Sequence, residues 1–232
     1  MQFSTVEWKN GMPYSPEFGD IYFSVENGRQ ETEHVFVQGN QLESRFKFAQ
    51  HGFTIIETGF GTGLNFFTVT DKWLQMAPAQ AQLTFISIEK YPLNHSDMQQ
   101  ACECWPEFSR IQQQFLALYA SIKPGLNDWQ VTNNISLQLW IADALDALSV
   151  ITQPTDAWLL DGFAPAKNPA MWNERLFARM AQLSNPGIST FATFTSAGHV
   201  RRGLQSAGFE VSKHPGYGKK REMSSGYYRG NV

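Results

Sequence analysis

Cysteine is almost missing from this sequence. Cys102 and Cys104 are the only two in 232 residues, and their spacing puts them on different faces of a helix, so no disulfide framework or metal set follows from them. Only His95 lies near enough along the chain to join them. They read as ordinary, partly buried thiols of a reducing compartment. Long hydrophobic runs are missing as well: no stretch approaches the roughly 18 apolar residues that span a bilayer. The opening "MQFSTVEWKNG" lacks the charged-then-apolar order of a secretion signal. The expectation is a cytoplasmic protein with no membrane partner. With 42% hydrophobic and 14% aromatic residues, the chain has enough apolar surface for one sizeable core.

Net charge is low, −3 over the whole chain, which argues against a general nucleic-acid coat protein. Its distribution is uneven. Arg201, Arg202, Lys213, Lys219, Lys220, Arg221 and Arg229 face only Glu210 and Glu222 after residue 195, leaving the rest of the chain acidic. A basic end on an acidic body fits one surface turned toward a polyanion, or else a solvated charge run.

Beyond residue 50, short apolar runs alternate with helical patterns. "FTIIE" (53–57), "LTFISIEK" (83–90), "LQLWIAD" (137–143), "AWLLDG" (157–162) and "STFATFT" (189–195) read as buried strands. Helices are expected over 63–76, 94–120, 143–151, 169–184 and 197–207, with "FEVSKHP" and "EMSSGYY" as a closing antiparallel pair. This order predicts an α/β fold, an open, doubly wound and mostly parallel sheet covered on both faces, as the core over residues 51–232. Residues 1–50 are turn-rich and aromatic, with an extended piece "EHVFVQG" and a short helix from 41 to 50. They are expected to form an N-terminal extension packed on the core, at the sheet edge.

"FTIIETGFGTGLNFF" (53–67) places Gly59, Gly61 and Gly63 at the end of the first core strand, the ligand edge of such a sheet. Glycine there admits positive φ and lets backbone N–H groups approach a ligand. A nucleoside-triphosphate loop needs Lys and then Ser or Thr after its last glycine, but Leu64 and Asn65 stand there. A dinucleotide loop wants a glycine where Leu64 is. A tight βα turn with no ligand is the plain alternative. Carboxylates decide more. Glu89 ends the second strand, where an acid can accept both hydroxyls of a ribose. Asp143 ends the third, where it can accept from an adenine amino group while the Ala144 N–H meets a ring nitrogen. Asp161 ends the fourth, beside Gly162. Each also fits a helix cap or turn. Together they point to S-adenosylmethionine, with no metal.

The segments "DIYFS", "ETEHVFVQGNQLESRF", "ETGFGTGLNF", "DAWLLDGFAPAKNPAMW", "ATFTSAGHVRRGLQSAGF" and "GKKREM" span nearly the whole chain, and it resembles the methyltransferase domains of the MnmC family, or a stand-alone relative of them. The resemblance implies a class I, Rossmann-like methyltransferase that converts 5-aminomethyl-2-thiouridine to its methylaminomethyl form at the wobble position of a tRNA anticodon stem-loop. The family's second half, an FAD-dependent oxidase, has no counterpart in this sequence. The candidate cofactor-binding set is Glu57, Thr58, Gly59, Gly61, Gly63, Asn65, Glu89, Lys90, Asp143, Ala144 and Asp161. Asp161 and Phe163, with Asp20 and Tyr22 from a segment expected to fold over the site, are the candidate catalytic residues. Tyr22 or Phe163 stacks on an extruded base or simply packs. Lys167, Arg201, Arg202, Lys219, Lys220 and Arg221 are the candidate tRNA contacts, while His199 reads as a packing residue. Two other functions compete: a nicotinamide-dependent dehydrogenase on the same fold, and a non-catalytic tRNA-binding protein.

Overall fold

A computed structural model describes residues 1–24, 27–218 and 220–230. Among these, the chain opens with a small antiparallel meander of β1 (Glu7–Lys9), β2 (Met12–Ser15) and β3 (Asp20–Ile21). Helix α1 (Gly28–Thr32) runs into a widened π-helical turn over Glu33–Gln38, and α2 (Leu42–Lys47) follows. The core then alternates β4 (Gly52–Thr58), α3 (Leu64–Met76), β5 (Gln82–Glu89), α4 (His95–Glu103), α5 (Ser109–Tyr119), β6 (Gly125–Thr132) and β7 (Ile135–Ile141). It continues through α6 (Ala144–Val150), β8 (Ala157–Leu160), α7 (Glu174–Gln182), β9 (Thr190–Thr193), α8 (Gly198–Ser206), β10 (Phe209–Pro215) and β11 (Glu222–Tyr228).

The large sheet has the order β10-β11-β9-β8-β4-β5-β7-β6. Strands β7, β5, β4, β8 and β9 are parallel, while β6 and the β10–β11 pair are antiparallel additions at the two edges. This is the expected doubly wound α/β sheet. The central strands are continuous apolar runs because both of their faces are covered. In β4, neighbouring Ile55 and Ile56 are both fully buried but join different cores. Ile55 packs with Phe66, Phe85 and Phe115 on one face; Ile56 packs with Trp158, Leu176 and Leu204 on the other. After β7 the chain returns to lay β8 on the opposite side of β4. That reversal opens a crevice beyond the carboxyl ends of β4 and β8.

Several expected elements take another form. The helix expected over 94–120 is two helices, broken where Pro106 follows Trp105, whose backbone (φ −129°, ψ 68°) has left the helical region, as residues before proline do. The helix expected from 169 starts at Glu174, where the Asn173 side chain accepts from Leu176 N at 3.1 Å; a short 3₁₀ turn, Pro169–Met171, precedes it. Strand β6 was not anticipated, although buried Asn127, Trp129 and Val131 alternate with exposed neighbours along it. The extended piece expected at "EHVFVQG" is helical instead. Val35, Phe36 and Val37 are buried there, and packing overrides the β preference of the run. Nor does the extension lie at the sheet edge. Its residues enter the core of one face beside Ile55 and Leu159, and buried Asn40 donates to Trp158 O at 3.2 Å. Arg45 donates to Asp156 O at 3.0 Å and Ile188 O at 3.1 Å.

Candidate active site

The crevice is a cavity of about 590 Å³, within the range of small-molecule sites. Segments following five parallel strands reach it: Gly59–Thr62, Leu64 and Asn65 after β4, Lys90 and Tyr91 after β5, Ala142–Leu145 after β7, Asp161–Ala164 after β8, and Phe194 after β9. Backbone spacing at the loop after β4 is close. Gly59 has φ +81°, and a Cβ there would meet Gly162 Cα at 3.0 Å. The loops after β4 and β8 therefore touch main chain to main chain. The Thr58 hydroxyl donates to Asp161 O at 3.0 Å, tying them further.

Glu89 holds the glycine loop in place. One carboxylate oxygen accepts from Gly61 N at 2.9 Å and the other from Tyr91 N at 2.9 Å. Burial pushes its pKa up, and those backbone donors oppose the shift. Asp143 caps α6, accepting from Leu145 N at 3.1 Å, and pairs with Lys90 Nζ at 3.1 Å. Asp161 accepts from Gly162 N at 2.8 Å and from Asn65 Nδ2 at 2.7 Å. Burial raises its pKa from 3.8 to about 6; the two donors and the Lys220 charge oppose this, and Glu31 adds to it.

A roof comes from the chain's beginning. Phe18 stacks on Phe163 with centroids 4.3 Å apart, and Tyr22 meets the edge of the same ring at 5.3 Å. Tyr22 also packs over Gly61, where a Cβ would come within 3.3 Å of its ring, and its hydroxyl bonds Ser4 Oγ at 2.7 Å. Burial moves that phenol up to about 12. Lys167 fastens the two walls, pairing with Asp20 at 3.1 Å and donating to Gly19 O at 2.7 Å. This candidate tRNA contact thus has partners within the chain.

Asp20, Tyr22, Gly59, Gly61, Asn65, Glu89, Lys90, Asp143, Ala144, Asp161, Phe163 and Lys220 thus meet around one cavity. Glu57, Thr58 and Gly63 do not line it. Glu57 is fully buried beneath the loop, bonded to Ser87 Oγ at 2.6 Å and Asn65 Nδ2 at 2.8 Å. Thr58 is buried behind Asp161, and Gly63 is a left-handed residue opening α3 against Phe60 and Phe67. Among the basic residues, Lys220 reaches the cavity, its Nζ 2.6 Å from a Glu31 oxygen and 4.5 Å from the centre of the Phe194 ring. Arg201 folds back onto Ser196 O at 3.1 Å, while Arg202 and Arg221 are exposed. Lys219 lies outside the described residues. Lys213 and Arg229 pair with Glu222 and Glu210, so part of the basic tail is neutralised locally. His199 is exposed at the start of α8, not packed. Glu31, Thr32, Phe18 and Phe194 line the cavity although sequence reasoning did not single them out; "ETEH" and "ATFTS" stood inside the segments carrying the resemblance.

Charge decides which ligand fits. Glu17, Asp20, Glu31, Glu89, Asp143 and Asp161 line the cavity, against Lys90 and Lys220, each of which already pairs with one of those acids. A pyrophosphate would face uncompensated carboxylates there. S-Adenosylmethionine, carrying a sulfonium and an ammonium, suits this field, and the bare glycine backbone leaves it room. Among the described residues no group of three or more His, Cys, Asp or Glu side chains is placed to hold a metal ion, and no helix is long and apolar enough to cross a membrane. Burial drives the Cys102 thiol up to about 12, away from the reactive thiolate.

Comparison with known proteins supports the same ligand. The bifunctional tRNA 5-methylaminomethyl-2-thiouridine biosynthesis protein MnmC of Methylobacillus flagellatus is 49% identical over 230 residues, covering 97% of this chain and 35% of the relative. The MnmC protein of Chromobacterium violaceum is 51% identical over 223 residues, covering 95% of this chain and 34% of the relative. The chain thus spans about a third of the length of these curated relatives. The crystal structure of MnmC2 from Aquifex aeolicus superposes with a TM-score of 0.78 at 19% identity, covering all of this chain and 72% of that one, and shares its fold. A family profile described as S-adenosyl-L-methionine-dependent methyltransferase matches residues 106–229. That match overturns the dehydrogenase alternative: the chain belongs to the S-adenosyl-L-methionine-dependent methyltransferase family.

Proposed function

We propose that this chain methylates the primary amine of 5-aminomethyl-2-thiouridine at the wobble position of tRNA. The observation that carries this reading is the acidic cavity at the strand ends, where Asp20, Asp143 and Glu31 pair with Lys167, Lys90 and Lys220 while Glu17, Glu89 and Asp161 have no lysine partner among the described residues, which favours a cationic donor and an acceptor that arrives as an ammonium. The names of the relatives, tRNA 5-methylaminomethyl-2-thiouridine biosynthesis proteins, support the choice of acceptor. Glu89 is assigned to the ribose hydroxyls, Asp143 and the Ala144 N–H to adenine, and the Gly59–Gly61 backbone to the methionine end. When bound, S-adenosylmethionine supplies a methyl group on a positively charged sulfur, which the amine nitrogen takes in a single displacement.

Positioning of the amine is then the main task of the protein, an effect worth up to ~7–11 kcal/mol in well-oriented systems. An ammonium has no lone pair, so the acceptor must lose a proton first. Asp161 orients the amine and takes up that proton; Phe163, stacked under Phe18, keeps water away. Asp20 holds the roof through Lys167, and Tyr22 or Phe163 provides a face for the extruded base. A non-catalytic tRNA-binding role would leave a carboxyl lifted to about 6 inside the cavity without a task.

Direct proof is mass spectrometry of nucleosides after incubating the protein with the donor and tRNA bearing the aminomethyl uridine. Gain of one methyl group on that nucleoside is expected; an unchanged nucleoside, or a methyl on another base, would contradict the assignment. A pH dependence follows too. Asp161 accepts a proton only when ionised, and its pKa is raised to about 6, so kcat/KM for tRNA is expected to fall roughly tenfold per pH unit below that value. A profile flat down to pH 5 would remove Asp161 as the proton acceptor.

Lys220, Arg201, Arg202 and Arg221, with Lys219, are assigned to the anticodon stem-loop. Phosphate contacts release counterions, so tRNA affinity should drop steeply with salt, and Arg202→Ala should reduce the log–log slope by about one. Filter-binding titrations across salt concentrations read this directly, and a salt-independent affinity would argue against the contact. In the relatives the chain corresponds to about a third of the protein, leaving room for a covalently attached FAD-dependent oxidase that generates the amine, working on tRNA in the cytoplasm.

A further inference from the structure

Asn65 faces the cavity, yet its amide is wholly occupied by the protein. Its Oδ1 accepts from Thr32 Oγ1 at 2.8 Å, and its Nδ2 donates to Glu57 Oε1 at 2.8 Å and to Asp161 Oδ2 at 2.7 Å. Asn65 and Thr32 are 6% and 5% exposed, and Glu57 is fully buried. A primary amide has two N–H donors and one oxygen, so every polar function of Asn65 has a partner before any ligand arrives. Turned over, the amide would set its oxygen against two carboxyl groups. The Thr32 hydroxyl, reaching in from α1, reinforces the orientation that keeps the donors toward them.

We propose that Thr32 and Asn65 are positioning residues that aim the Asp161 carboxylate at the acceptor amine, which makes the N-terminal helix α1 a working part of the methyl-transfer site. This rests on the proton-accepting role assigned above to Asp161. Asn65 itself contributes no cofactor contact through its amide. Without the Thr32 hydroxyl, Oδ1 is left buried with no donor, which is unfavourable for a polar atom. Freed of that anchor, the amide is no longer held in the orientation that aims Nδ2 at Asp161, and that hydrogen bond weakens. The carboxylate then keeps the Gly162 N–H as its one firmly placed donor, and its charged form is less favoured.

The test compares Thr32→Val, Thr32→Ala and Thr32→Ser in the full chain. Valine keeps the side-chain shape and removes the hydroxyl; alanine gives the same loss with less bulk; serine restores the donor. In the valine and alanine variants the acid limb of the kcat/KM profile is expected to move up by about one pH unit, with adenosylmethionine affinity by calorimetry changed less than about threefold. Serine should return the limb to the wild-type position. Carbon NMR of the labelled Asp161 carboxyl reads the same shift without turnover. The other ionisable groups facing Asp161 are Glu57 from β4, Glu89 from β5, Glu31 from α1 and Lys220 from the segment between β10 and β11; none is substituted, and Glu57, which shares Asn65 Nδ2, keeps Ser87 Oγ as a donor, so the labelled Asp161 carboxyl is what separates the two. Unmoved limbs and carboxyl titrations in both valine and alanine variants, or a serine variant shifted as far as valine, overturn the inference. An inactive wild-type enzyme would remove the underlying reading; an active one with unmoved limbs removes this inference alone.

Discussion

Exchanging Asp161 for asparagine is expected to lower turnover by at least about a hundredfold, the usual weight of a positioned acid or base, while adenosylmethionine binds within a few-fold of the wild-type affinity. The reason lies in what the carboxylate does and does not touch. Asp161 is held by Gly162 N and Asn65 Nδ2, not by the Gly59–Gly61 turn, whose amide at Gly61 goes to Glu89. Removing its charge takes away the proton acceptor and leaves the glycine cradle standing. Single-turnover kinetics separate the two quantities, since the bound donor is then present from the start. Near-normal turnover with intact donor binding would show that the amine loses its proton elsewhere.

Glu89→Gln should have the opposite signature. Each Glu89 oxygen accepts one backbone N–H, from Gly61 on one side and Tyr91 on the other. An amide offers one oxygen only, so its NH₂ must face one of those N–H groups. One half-buried donor loses its partner, and the ribose loses a charged acceptor. Together these make a weakening of adenosylmethionine binding of roughly a hundredfold the expected outcome, read by calorimetry, with a smaller change in the turnover of saturated enzyme. Unchanged affinity would remove Glu89 from the nucleoside site.

Much of the fold could be read from the sequence because buried parallel strands leave a plain signature. Ile55–Ile56 and Ala157–Leu160 are apolar on both faces since helices cover both, and the acids that follow β5, β7 and β8 stand out against them. What stayed hidden depends on contacts between distant parts of the chain. The Val35–Val37 run has strand-forming residues, and only its burial beside Leu159 makes it helical. Pro106 did mark a helix break, inside a pattern that suited one longer helix, and Trp129 and Val131 did carry the alternation of an edge strand, in a stretch assigned to no element. At the site, sequence places both Glu57 and Glu89 in the cofactor-binding set, with the ribose assigned to Glu89. The structure separates them by burial: Glu57 supports Asn65 from below, while Glu89 opens onto the cavity. Nothing local in the sequence shows that Thr32 reaches Asn65, or that Lys167 is taken by Asp20.

The most direct measurement is a crystal structure of the protein soaked with S-adenosylmethionine or S-adenosylhomocysteine. The ligand is expected beyond the carboxyl ends of β4 and β5, its ribose on Glu89, its adenine beside Asp143 and its sulfur end pointing toward Asp161 and Phe163. A ligand bound away from this cavity, or one whose ribose and sulfur lie far from Glu89 and Asp161, would contradict the assignment.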